Sequence, residues 1–103
     1  MITRLVEIYE NKLNSFSQIR MNSIKEYYLR EVLVNPAHVV LLRPNHEFDN
    51  DAKIKLPEGL HSSQKYSTIY IDRGHAGMEI VVVGDVNMVE EKLNGPKKKV
   101  LKG

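Results

Sequence analysis

A chain of 103 residues has room for one hydrophobic core, because autonomous domains run from about 50 to 200 residues and a second core here would be starved of apolar area. Its 42% hydrophobic and 27% charged residues are those of a chain that folds, and without cysteine it can hold no disulfide, thiolate nucleophile or sulfur-ligated metal. The net charge of +2 comes from Lys97, Lys98, Lys99 and Lys102; without these four, residues 1–96 carry −2, which weakens any argument from global basicity to nucleic acid.

From the N-terminus, Ile2 to Tyr9 reads as a strand. Arg4 and Glu7 interrupt it, so it lacks the apolar run and cleavage site of a signal peptide, and no stretch approaches the roughly 20 apolar residues of a membrane span. A soluble, cytoplasmic protein is the expectation. Lys12 to Arg30 can be read as a helix through Leu13, Phe16, Ile24 and Tyr27, or as a polar loop followed by a strand through Tyr28, Arg30, Val32 and Val34. Asn11, Asn14, Ser15, Ser17, Asn22 and Ser23 are poor helix-interior residues and favour the second reading.

Glu31 to Val34 and Ala37 to Pro44 read as strands on either side of an Asn35-Pro36 turn. Val39 to Leu42 is the most apolar run in the chain, which suits a central strand ended by Pro44. Asn45 to Lys65 is a long loop rich in turn formers and charge, pinned by Ile54, Leu56 and Leu60; such loops are either functional or partly disordered. Tyr66–Asp72 and Met78–Gly84 then form a hairpin, the first strand half-exposed and the second covered on both faces near its end. Gly74 and Gly77 supply positive φ in the connection. Asp85 caps a short helix whose Val86, Val89 and Leu93 share one face, and Asn94-Gly95-Pro96 stops it. The fold class expected is mainly β (α+β): a small antiparallel sheet or partly closed barrel of about five strands with a short C-terminal helix. Residues 1–95 form the domain and residues 96–103 a basic flexible tail.

The stretch Tyr28-Leu-Arg-Glu-Val-Leu-Val-Asn-Pro-Ala-His-Val-Val-Leu-Leu-Arg-Pro44, followed by Thr68-Ile-Tyr-Ile-Asp-Arg-Gly74 and Ile80-Val-Val-Val-Gly84 before a short helix, resembles the FlbD-like small bacterial proteins, a kind of β protein found also in phage genomes. Those also place an asparagine at a strand end, then a threonine-rich hairpin and a terminal helix. The likeness covers about half the chain and departs in the N-terminal segment, the Asn45 to Lys65 insertion and the lysine tail. It implies the architecture and carries no motility-related function.

The side chains that could carry chemistry do not assemble into a known pattern. His46-Glu47 begins like a zinc-protease helix motif, but Asn50 stands where the second histidine belongs. A metal site built in space from His46, His61 and His75, with His38 apart, is outweighed by four separate loop histidines. Glu47, Asp49 and Asp51 alternate like calcium ligands but lack the glycine and closing glutamate of an EF-hand. Ser62-Ser63 has no nucleophile-elbow frame, and Gly74 and Gly77 no phosphate-loop ending. No catalytic, cofactor-binding or metal-binding residue is assigned, and no cofactor is expected.

The function expected is therefore that of a small non-enzymatic accessory or regulatory protein that engages a protein partner through a sheet face or edge, with homodimerisation as one form of that contact. The alternative is an RNA- or DNA-binding regulator, with Arg30, Lys65, Tyr70, Lys97, Lys98, Lys99 and Lys102 as contacts and strand-borne Tyr27, Tyr28, Tyr66 and Tyr70 as stacking platforms.

Overall fold

The computed structural model describes residues 2–11, 25–49, 54–72, 74 and 77–95. Among the described residues, six strands and one helix follow in chain order: β1 (Thr3–Glu10), β2 (Lys25–Val34), β3 (Val39–Asn45), β4 (Ile54–Lys55), β5 (Tyr66–Asp72), β6 (Gly77–Val83) and α1 (Val86–Asn94). They form one open sheet of order β3-β5-β6-β1-β2-β4. The expected mainly-β fold with a helix near the C-terminus is found. The sheet is mixed, because the two-residue β4, inside the expected loop, lies parallel to β2 at Lys25 and Glu26.

β2 carries the chain into Asn35, whose side-chain Oδ1 accepts the Ala37 N–H at 3.0 Å and caps a single 3₁₀ turn, Pro36–His38. The turn does not close a hairpin. It sends the chain from one side of the sheet to the other, so that β3 pairs with β5 and forms an edge. This overturns the central-strand expectation for Val39 to Leu42: Val40 and Leu41 are exposed, and the ladder is broken by a bulge between Val39 and Leu41. Apolar content alone does not distinguish a central strand from an edge; the pairing partners decide it.

The β5–β6 hairpin runs in unbroken register from Tyr66↔Val83 to Asp72↔Gly77. The half-exposed expectation for its first strand fails at Tyr66, Ser67, Thr68 and Ile69, all buried, because β5 lies inside the sheet with cover on both faces. β6 is covered near its end as expected. Gly74 has the positive φ foreseen for it, at 94°, but Gly77 does not. A Cβ at Gly77 would run into the ring and hydroxyl of Tyr70, which would have to move aside.

Strand register divides the side chains between two faces. On the helix face, Leu5, Val34, Ile69, Ile80 and Val82 pack with Val89 of α1, and Val32, Val39, Leu42, Ile71 and Leu93 border them. Each fully buried aliphatic side chain contributes roughly 1.5–3 kcal/mol here. On the loop face, Ile8, Tyr27 and Tyr66 pack with Phe48, and Ile54, Leu56 and Leu60 pin the loop as expected, beside Val81 and Val83. Phe48 meets Tyr27 and Tyr66 with ring centroids 4.9 Å apart in both cases. The reading of residues 12–24 as loop or helix, and the expected tail at 96–103, lie outside the described residues; from Lys25 onward the strand reading holds.

The helix begins where expected. Asp85 Oδ1 accepts the Met88 N–H at 2.7 Å, and Gly95 ends the helix at φ 62° with its N–H donating to the Glu91 carbonyl at 3.0 Å. Replacing Asp85 with alanine should lower unfolding free energy by about 1 kcal/mol, and Asp85→Asn should retain most of it, both read from urea unfolding midpoints.

Candidate functional site

The residues foreseen as nucleic-acid contacts do not meet on one surface. Arg30 is on the helix face of β2, opposite Glu7 of β1. Its Nε donates to Glu7 Oε1 at 2.9 Å, and its guanidinium lies 4.2 Å from the centroid of the Tyr9 ring. The Glu7 hydrogen bond, and then the Glu7 charge, raise the Arg30 pKa above its ordinary value. The charge that could hold a phosphate is thus already engaged within the sheet. Tyr70 is on the loop face, beside Leu41 and Glu79. Lys65 is exposed just before β5, and its backbone carbonyl accepts the Gly84 N–H at 2.8 Å. Lys97, Lys98, Lys99 and Lys102 lie outside the described residues.

The strand tyrosines divide in the same way. Tyr28 shares the helix face with Arg30 and meets Tyr9 edge-on, with centroids 6.2 Å apart. Tyr27 and Tyr66 are buried against Phe48. A lone phenylalanine within a charged loop was the signal for this anchor, which hydropathy counting over Asn45–Lys65 passes over.

His46 Nδ1 lies 3.1 Å from Asp49 Oδ2, while His61 Nδ1 accepts the Ser63 N–H at 3.1 Å and lies 2.7 Å from its hydroxyl. Among the described residues no group of His, Asp and Glu is placed to hold a metal ion; His75 and Asp51 lie outside them. A cavity of about 230 Å³ between the loop and β5 is lined by Phe48, Asp49, His61, Lys65 and Tyr66, among others.

A different surface is left open at the β1–β2 end of the loop face. The register Arg4↔Leu33, Val6↔Glu31 and Ile8↔Leu29 places these six residues on that side of the two strands. Ile8 is covered by the loop cluster. Leu33 is 58% exposed, Val6 40% and Leu29 36%, so three neighbouring aliphatic side chains face solvent. The charges among them are matched, since Arg4 Nε lies 3.0 Å from Glu31 Oε2. The edge of β2 adds backbone groups to this surface: β4 pairs with β2 at Lys25 and Glu26, and among the described residues no strand lies beside Tyr28–Val34 on that side. Where β4 ends, Lys55–Glu58 and Glu26–Leu29 border a groove of about 380 Å³. Single-sequence reading finds the apolar residues but not the edge, which depends on where β4 stops.

No family model, curated protein or solved structure matches the chain.

The Tyr66 hydroxyl is buried without a hydrogen-bond partner among the described residues. Burial, and then the nearby Asp49 carboxylate, raise its pKa above the ordinary 10.0. Burial penalises the ionised phenolate, so the folded state resists ionisation and stability falls as pH rises beyond 10. Tyr66→Phe should therefore leave stability equal or raise it by about 1 kcal/mol at pH 7, and should weaken the loss of stability above pH 10, as measured by denaturant unfolding across pH.

Proposed function

We propose that this chain is a non-enzymatic accessory or regulatory protein that engages a protein partner through the open β1–β2 end of its loop face. The observation that supports the reading is the exposure of Val6, Leu29 and Leu33 side by side on a rigid antiparallel pair. Contiguous apolar surface of this kind gains free energy when a partner removes it from water. The Arg4–Glu31 pair in its midst lets a partner cover the patch without desolvating a lone charge. Both strands continue into a packed core, so the patch is presented with little conformational entropy left to lose on binding.

The nucleic-acid alternative gains less support, because Arg30 is held by Glu7 while Tyr70 lies on the opposite face. The test compares affinity purification of the wild type with that of Leu33→Asp, after nuclease treatment in high salt. The expected result is a stoichiometric protein that the wild type retains and the variant loses, with both equally folded by circular dichroism. Recovery of nucleic acid alone, released by nuclease or salt, would replace the protein-binding reading with the alternative.

A further inference from the structure

Among the described residues, Tyr28–Val34 of β2 pairs with no strand on its outer side, and this stretch is bounded at both ends. β4 occupies the edge at Lys25 and Glu26, and the Asn35 cap turns the chain away after Val34. Between them, Tyr28–Val34 contains no proline, no glycine and no bulge, and its register with β1 is continuous. The opposite edge, β3, has both a bulge at Val40 and a proline at position 44, two features that discourage strand addition.

We infer that the occupant of the β2 edge is a second copy of this chain, paired antiparallel about a two-fold axis through Glu31. Antiparallel pairing about an axis perpendicular to the sheet places residues of the same face opposite one another. The axis at Glu31 sets Leu29 against Leu33 of the second copy, Tyr28 against Val34 and Arg30 against Val32. An axis at Arg30 would bring Val34 of the second copy against Glu26, where β4 already lies. An axis at Val32 would shorten the ladder. Glu31 is the centre of the free segment, so this register is the longest that the edge accepts.

The side chains fit that register. Leu33, Leu29 and Tyr28, the exposed large apolar residues of β2, all acquire apolar neighbours across the axis. The charges of the segment are met within each copy, Arg30 by Glu7 and Glu31 by Arg4. The two Glu31 side chains meet at the axis, each neutralised from its outer side by Arg4 of its own copy, so they do not form a bare carboxylate pair. The sheet becomes continuous through both copies, and the Val6, Leu29 and Leu33 patches merge into one. The inference deepens the protein-binding reading and rests on it.

The chain has no cysteine, so single cysteines report the axis directly. Under mild oxidation Glu31→Cys should cross-link into a dimer, because residues opposite each other lie about 4.5–5.5 Å apart between Cα atoms, within disulfide reach. Leu29→Cys and Leu33→Cys should each remain uncross-linked alone, their own copies being four residues out of register or about 13 Å apart, yet should cross-link when mixed. The mixed pair keeps Glu31 intact and so covers the case in which its removal weakens the dimer. Light scattering of the wild type should give twice the 11.9 kDa chain mass. A monomeric mass at all concentrations, or cross-linking of Val40→Cys in place of these variants, overturns the inference. A monomer that still retains a protein partner lost on Leu33→Asp removes the second copy but leaves the protein-binding reading. A cross-linked dimer that retains no other protein keeps the inference and removes the wider reading.

Discussion

The ladder between β1 and β6 holds the sheet as one piece. It joins the β1–β2 pair to the β3-β5-β6 group at Glu7↔Val82 and Ile8↔Val81. So short a ladder is weak by backbone hydrogen bonding alone, each bond contributing a net 0.5–1.5 kcal/mol or so. Side chains reinforce it from both sides. Val82 is fully buried under the helix, and Ile8 and Val81 pack within the Phe48 cluster. The two covering elements act as clamps across the join: α1 places Val89 over both groups and accepts a 3.5 Å hydrogen bond from Thr3 to the Lys92 carbonyl, while Phe48 bridges Tyr27 of β2 and Tyr66 of β5.

That arrangement explains why the surface is uneven. The helix and the loop are spent on the middle of the sheet, where the join needs cover, and they leave the far end of β1–β2 to solvent on the loop face. Glu7 shows the same constraint in polar form. It lies in the joining register yet is buried, so Arg30 must reach across from β2 to meet it, and Tyr9 stacks beneath the guanidinium. An arginine that would read from sequence as a free cation is thereby part of the scaffold.

Local signals were legible wherever the relevant interaction is between near neighbours in the chain. Asp85 caps its helix through a residue three positions on, Gly95 ends it, and Asn35 caps the turn at Pro36. The β5–β6 hairpin follows from two β-branched runs separated by glycines. The anchoring roles of Ile54, Leu56 and Leu60 were legible as apolar residues in an otherwise polar loop. The order of the strands was not, because it depends on pairings between distant segments. Two apolar strands joined by a short turn ordinarily lie side by side, but here β1, β5 and β6 come between β2 and β3.

The sequence by itself determined that the chain is mainly β with a capped helix near its C-terminus, since propensity, capping and hydrophobic alternation act over a few residues. Only the tertiary structure decided that Val39 to Leu42 lies at an edge, that Tyr66 to Ile69 is covered on both faces, and that Arg30 and Tyr70 face opposite ways. It also decided which apolar residues remain exposed, Val6, Leu29 and Leu33 among them. Exposure is a property of what packs on a strand, and the elements that cover β1 and β2, α1 and the Phe48 loop, come from segments far along the chain from those strands.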